Sequence, residues 1–274
     1  MIPKGLQFVF AMRSIWKGSI AFGLVNIPVR LYSATETVGI TTHMLYKKDL
    51  SRIRFQRVAE TTGKEVSAEE IVRGYEVDKG QYVILSDEEL AEVAPAKSTG
   101  IEIQEFVSES EISSLYFEKP YYLEPDKGAA KAYALLREAL AKSGKVGIAQ
   151  FVLRNRESLC VLKPQGDGLV LNALRFAAEI RSMDELSLPS KEKLSASEVS
   201  LATKLIEGMA GKFDPASYKD TYTEEVQKLI EAKAKGEKRR APPPKAAKSN
   251  VIDLVAALQE SLGSVKKTKK RTAA

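Results

Sequence analysis

Few side chains in this sequence are equipped to make or break bonds. A single histidine, His43, and a single cysteine, Cys160, stand among 274 residues. One histidine rules out His-rich metal sites and the H-E-x-x-H arrangement, and any nucleophile, histidine and acid triad would have to use His43 itself. His43 is expected as a packing residue or as a donor beside a phosphate. Cys160, in the apolar run Leu159-Cys160-Val161-Leu162, reads as a small buried hydrophobe, and alone it allows neither an internal disulfide nor a thiolate zinc site. Neither G-x-x-x-x-G-K-S/T nor G-x-G-x-x-G occurs, so the usual nucleotide cradles are missing. The carboxylates Glu69/Glu70 and Asp87/Glu88/Glu89 have the composition of a magnesium site. They fall in helix-like segments, however, where acids near the N-terminus complement the helix dipole and face solvent. No catalytic residue, metal site or cofactor emerges. What remains is a set of cations.

Those cations are unevenly distributed. The chain carries a net +6, but residues 1–57 hold nine Lys/Arg against two Asp/Glu (+7), residues 58–232 hold 21 against 31 (−10), and residues 233–274 hold 12 against three (+9). A uniformly basic chain would suit any polyanion, whereas this division implies a local nucleic-acid surface with an acidic remainder turned away from it. The longest apolar runs fall well short of the roughly 18 residues of a membrane span. Met1–Ala11 has only the patch Phe8–Ala11, too short for a secretory leader, so the expected location is cytoplasmic.

The elements that must carry the cations begin with strands. Trp16, Ile20 and Phe22 share one face at period two with Lys17 and Ser19 on the other, and Val29-Arg30-Leu31-Tyr32 alternates again after an expected turn at Gly23 and Asn26–Pro28. Lys17 and Arg30 are therefore expected on the polar faces of adjacent strands. Leu45–Lys48 and Arg52–Arg57 flank a turn at Asp49-Leu50-Ser51, and in the second run Arg52, Arg54 and Gln56 alternate with Ile53, Phe55 and Arg57. Tyr82–Leu85 reads as a strand, followed by Ser86 as N-cap of an acidic helix Asp87–Ala94. A helix is expected from about Asp126 to Ser143, with Tyr133, Leu136 and Leu140 inward and Gly144 as its stop. Strands at Ile148–Arg154, Ser158–Lys163 and Leu169–Phe176, separated by turns at Asn155–Glu157 and Pro164–Gly168, form consecutive hairpins of a barrel or sandwich.

Helices follow Pro189. Ser195 and Glu198 form an S-x-x-E capping box ahead of Val199, Ala202, Ile206 and Met209, and a second helix is expected from Tyr218 to Lys235. Lys238-Arg239-Arg240 and Pro242-Pro243-Pro244 mark an extended linker. Beyond it Val251, Leu254, Val255, Leu258 and Leu262 recur at helical spacing between Asn250 and Gly263. So short a helix is marginal alone, and its stripe needs a groove, on a partner or on its own core. Lys266, Lys267, Lys269, Lys270 and Arg271 close the chain as mobile charge.

Several stretches together resemble one family. Arg13–Tyr32 (RSIWKGSIAFGLVNIPVRLY), Glu70–Glu76 (EIVRGYE), Tyr122–Gly128 (YLEPDKG), Lys131–Leu140 (KAYALLREAL) and Phe213-Asp214-Pro215 are similar, in order, to prokaryotic Ku proteins over about Met12 to Gly263. Met1–Ala11 departs from the family's usual opening and is expected to be a disordered extension. The resemblance implies a mixed β and α fold: a Ku-type β-barrel core over 12–190 with a ring-forming insertion at about 33–100. A helical arm over 191–235 follows, then a Pro/Lys-rich linker over 236–249, a partner-binding helix over 250–263 and a Lys-rich tail over 264–274.

It implies a non-enzymatic homodimeric ring that threads double-stranded DNA ends without sequence preference, associates with the nucleoid, and serves non-homologous end joining beside DNA ligase D. Candidate DNA-binding residues are then Lys17, Arg30, Lys47, Lys48, Arg52, Arg54, Arg57, Arg154 and Arg156, with Lys266, Lys267, Lys269, Lys270 and Arg271 in the tail. Candidate ligase-binding residues are Val251, Leu254, Val255, Leu258 and Leu262. Phosphate contacts without base readout agree with cations on a rigid frame, and a closed ring would supply the preference for ends. A metal-dependent repair nuclease and a basic-tailed RNA-binding or nucleoid-packaging protein are the other classes these residues allow.

Overall fold

Alternation along Trp16–Phe22 and Val25–Ser33 builds the first two strands, β1 and β2, joined by a tight turn in which Gly23 takes a left-handed φ of +56°. In β2, Ile27, Val29 and Leu31 are buried while Arg30 and Tyr32 face outward. The computed structural model describes residues 12–93, 100–153, 156–189 and 194–236, together with Leu258, Gln259, Ser261 and Gly263. Asn26–Pro28, expected as a turn, lies within β2. Pro28 is tolerated because its missing N–H faces the neighbouring strand where that pairing has run out. Its carbonyl there accepts from the Asp126 N–H at 2.9 Å.

An excursion then leaves the frame. It contains the hairpin β3 (Arg73–Asp78) and β4 (Gln81–Leu85), and the short helix α1 (Asp87–Glu92), capped by Ser86, whose side chain accepts from Glu89 N. The chain returns as β5 (Gly100–Ser108), β6 (Phe117–Pro125), helix α2 (Ala130–Ser143), β7 (Lys145–Leu153), β8 (Arg156–Gln165) and β9 (Gly168–Leu174). Seven strands close into a barrel in the order β1-β2-β6-β9-β8-β7-β5. The seam is a parallel pairing of β5 with β1, Ser19 opposite Gly100, Ile20 opposite Ile101 and Ala21 opposite Glu102.

The barrel interior is apolar. Ile20, Ile27, Leu31, Ile101, Phe151, Leu162 and Leu171 are all but inaccessible, and Trp16 meets Phe151 edge to face with centroids 6.2 Å apart. Each such side chain stabilises the fold by about 1.5–3 kcal/mol relative to exposure. Cys160 belongs to this core as expected: its Sγ lies 3.4 Å from the Ala149 carbonyl, and burial pushes the thiol pKa up. A second cluster lies on the outer face, where Val146, Val161 and Leu174 are covered by Ile112 and Tyr116 from the β5–β6 connection and by Phe117 at the start of β6.

Helix α2 joins the main core through Tyr133, Leu136 and Leu140, the positions the spacing picked out, and ends at Gly144 with φ +64°. It starts four residues later than expected because Asp126 is engaged by Arg30 and the Pro28 carbonyl. Tyr133 fixes the helix to two strands at once: its hydroxyl donates to the Leu123 carbonyl at 2.7 Å and accepts from the Leu169 N–H at 2.6 Å.

A second compact unit lies within Gly39–Thr42 and Asp184–Ala274, the barrel unit within Met1–Val38 and His43–Met183. Its helices are α3 (Ala196–Met209) and α4 (Thr221–Ala234). The Ser195/Glu198 capping box opens α3 as read from the sequence, and its reciprocal hydrogen bonds lower the Glu198 pKa. The second helix starts at Thr221, not Tyr218, because Pro215–Ser217 forms a 3₁₀ turn and Asp220 takes the cap, accepting from Tyr222 N and Thr223 N. Leu258 is helical and half-buried, whereas Val251, Leu254, Val255 and Leu262 lie outside the described residues.

Removing only the Tyr133 hydroxyl, as Tyr133→Phe, strands a buried carbonyl and a buried N–H. The variant is expected to lose about 1–3 kcal/mol in urea unfolding with the far-UV spectrum preserved. A loss within error would mean that both groups find other partners.

Candidate nucleic-acid interface

The insertion between β2 and β5 begins with two successive reverse loops that hold an extended basic run between them. In the first, Leu45 bridges Arg52, Tyr46 N donates to the Ser51 carbonyl at 2.8 Å and Ile53 N to the Met44 carbonyl at 3.0 Å. The turn sits at Asp49-Leu50-Ser51 as expected, with Leu50 at φ +60°. Asp49 accepts from Ser51 N at 2.9 Å, a hydrogen bond that holds its carboxyl pKa down. In the second loop Val58 bridges Glu65 and Val66 N donates to the Arg57 carbonyl at 2.9 Å. Arg52–Arg57 therefore runs extended but has no continuous ladder, where the alternation had suggested a regular strand. Alternate residues of such a run stand about 7 Å apart on one face.

Lys47, Lys48, Arg52, Arg54 and Arg57 are all exposed, and none of them forms an ion pair with another described residue. Residues 44–57 hold five Lys/Arg against Asp49, while residues 65–92 hold nine acids against Arg73 and Lys79. The insertion is thus electrostatically polar along its length. His43 is exposed at its start and is not a packing residue.

The acidic half has a local explanation. Glu70 accepts from Ser67 N and Glu89 from Ser86 N, each at 2.8 Å, closing capping boxes. The Ser67 hydrogen bonds lower the Glu70 pKa. Among the described residues no group of His, Cys, Asp or Glu is arranged to hold a metal ion.

The barrel-borne candidates are differently placed. Lys17 and Arg30 stand directly opposite one another in the β1–β2 register, as their alternation implied. Lys17 is exposed. Arg30 is engaged: its Nη2 bonds Asp126, its Nη1 lies 3.9 Å from Glu124, and Tyr32 bonds Glu124 alongside. Donating a hydrogen bond to Asp126 raises the Arg30 pKa further, and the same bond lowers that of Asp126. A guanidinium held by two acids offers little to a phosphate, and nothing local in sequence announces partners 94 and 96 positions away. Arg156, expected in a turn, is the first residue of β8 and pairs with Glu179 at 3.3 Å. Arg154 and the tail residues Lys266, Lys267, Lys269, Lys270 and Arg271 lie outside the described residues. No helix among the described residues is long and apolar enough to cross a membrane.

Known proteins are similar to this chain in sequence. The family described as the Ku70/Ku80 beta-barrel domain matches residues 21–201. A non-homologous end joining protein Ku of Coxiella burnetii is 41% identical over 95% of this chain and 97% of its own length. Proteins of that name from Opitutus terrae and Anaeromyxobacter are 43% and 44% identical, over 92% and 93% of this chain and 91% and 86% of theirs. Among solved structures, the SPOC domain of human PHD-finger protein 3 aligns over 59% of this chain and 95% of that one at 14% identity. Its TM-score of 0.29 is too low to bear on function.

The Asp126–Arg30 pair yields a pH prediction. Because the folded Asp126 pKa is depressed, its contribution to stability is present above the unfolded value of about 3.9 and is lost as pH falls through the lower folded value. Thermal unfolding between about pH 5 and pH 2 should decline more steeply for the natural chain than for Asp126→Asn. Parallel declines would show that the pair adds nothing.

Proposed function

We propose that this chain, which belongs to the Ku family, binds double-stranded DNA ends without sequence preference as a homodimeric ring in non-homologous end joining, and recruits and stimulates DNA ligase D there. The role needs no catalysis. The observation that carries the reading is the run of five uncompensated cations, Lys47, Lys48, Arg52, Arg54 and Arg57, on an insertion that springs from a closed barrel. Cations without recognition geometry bind phosphates of any sequence. The acidic stretch 65–92 repels the same phosphates, so the duplex is oriented toward the basic half.

Exposed apolar surface supports a second copy. An isolated two-stranded ribbon is marginal in water, yet β3–β4 leaves apolar side chains exposed on both faces, Tyr75 with Val83 on one and Tyr82 with Ile84 on the other. Monomers rarely leave apolar surface of this kind uncovered, and a two-fold partner would cover one face while closing the ring. In this reading Lys17 adds a phosphate contact, while Arg30 and Arg156 add less because acids already face them. Arg154 is assigned to the same DNA surface. The stripe Val251, Leu254, Val255, Leu258 and Leu262 enters a ligase D groove, and Lys266, Lys267, Lys269, Lys270 and Arg271 supply mobile phosphate contacts close to the nucleoid.

Two measurements test this. Protein should be retained on a linear duplex whose ends are blocked after loading and be lost when the blocks are removed, with little bound to a closed circle of equal length. Strong binding to circles would sink the ring and favour a packaging protein. Separately, Arg52→Glu with Arg54→Glu should weaken binding to every sequence and flatten the log affinity against log salt plot by about 0.9 per lost phosphate contact. An unchanged slope would remove these arginines from the DNA surface.

A further inference from the structure

The two reverse loops of the insertion are built alike but place different residues at their strained position. In the first, Leu50 N donates to the Tyr46 carbonyl and Tyr46 N to the Ser51 carbonyl, each at 2.8 Å, and Asp49 accepts from Ser51 N at 2.9 Å. In the second, Gly63 N donates to the Ala59 carbonyl at 2.8 Å, Ala59 N to the Lys64 carbonyl at 2.9 Å, and Thr62 accepts from Lys64 N at 3.3 Å. Leu50 and Gly63 therefore hold the same place, at φ +60° and +64°. Glycine adopts that backbone freely, whereas the Cβ of a leucine is brought too close to a carbonyl oxygen. Among the described residues Leu50 is the only non-glycine with a positive φ. Its side chain is 69% exposed, so no packing within the chain offsets the strain.

We propose that Leu50 enters the minor groove of the bound duplex and packs against its deoxyribose walls, an inference that rests on the duplex-binding reading above. The charges of the loop select this occupant. Lys47 and Lys48 precede Leu50 at the tip and Arg52 follows at the foot, all exposed and without an ion pair to another described residue. The one acid, Asp49, has its carboxylate turned onto the Ser51 N–H. An apolar side chain flanked by cations suits a surface that is apolar along its walls and anionic at its rims. The minor groove is such a surface, about 6 Å wide, and leucine is among the side chains that enter it. Where the first loop has Lys47 the second has Glu60, and there the strain-free glycine is kept. A leucine makes no hydrogen bond to a base, so the contact leaves binding blind to sequence.

The test uses full-length protein and a short linear duplex. Leu50→Gly should lower affinity at least about tenfold, the ratio expected from returning most of a leucine side chain to water. The loss should be the same at every salt concentration, because no phosphate contact is removed. The thermal midpoint of the free protein should hold or rise, because the strain is released. On an A·T-rich duplex the minor-groove ligand netropsin should weaken the natural chain more than the major-groove ligand methyl green does at equal occupancy, and the two should weaken Leu50→Gly alike. Undiminished affinity in Leu50→Gly would overturn the proposal, as would equal effects of the two ligands on the natural chain. Affinity lost together with thermal stability or with the free dimer would also overturn it, by placing Leu50 in a protein contact. Failure of the natural chain to bind the linear duplex at all would instead overturn the end-binding reading.

Discussion

Three residue pairs between β1 and β5 decide the shape of the whole barrel unit. Parallel strands cannot be joined by a tight turn, so the chain must travel before it can return alongside itself. Here it leaves from the end of β2, beside the start of β1, and comes back at Gly100 opposite Ser19, near that same end. The insertion therefore leaves and re-enters the frame near one rim. Closure also removes every open edge from the seven-stranded sheet, which leaves the β3–β4 ribbon as the exposed pairing surface of the unit.

The division of labour along the chain follows from this. The barrel concentrates nearly all the burial: its interior is aliphatic and aromatic, and its polar outer positions are tied locally, as Arg30 is by Asp126 and Glu124. The insertion buries little, and its basic residues Lys47, Lys48, Arg52, Arg54 and Arg57 form no ion pair with another described residue. Its hairpin turns and capping boxes give it local shape without a core, so its cations are held in place but not neutralised. Such a part is suited to gain its remaining stability from whatever binds it.

Much of this was legible in sequence wherever the controlling interaction is local. Alternation located β1 and β2, turns between strand-like runs located the hairpins β7 to β9, helical spacing picked out Tyr133, Leu136 and Leu140, Ser86 was read as the N-cap of an acidic helix, and S-x-x-E marked Ser195 as a cap. What failed depended on distant partners. Pro28 looked like a turn residue until the end of β6 arrived beside it, and Arg30 looked free until Asp126, 96 positions on, bonded it. The Arg52–Arg57 run alternates like a strand, but no neighbouring backbone supplies the ladder. The family resemblance supplied the barrel's closure, which periodicity alone does not encode.

The chain's only sulfhydryl is the barrel residue Cys160, fully enclosed, with burial raising its pKa. A thiol kept protonated and out of reach of solvent is a poor nucleophile and a poor target for peroxide. Copies of this protein consequently have no means of becoming covalently linked through sulfur, whatever the redox state around them. A disulfide between copies would first require this barrel to open.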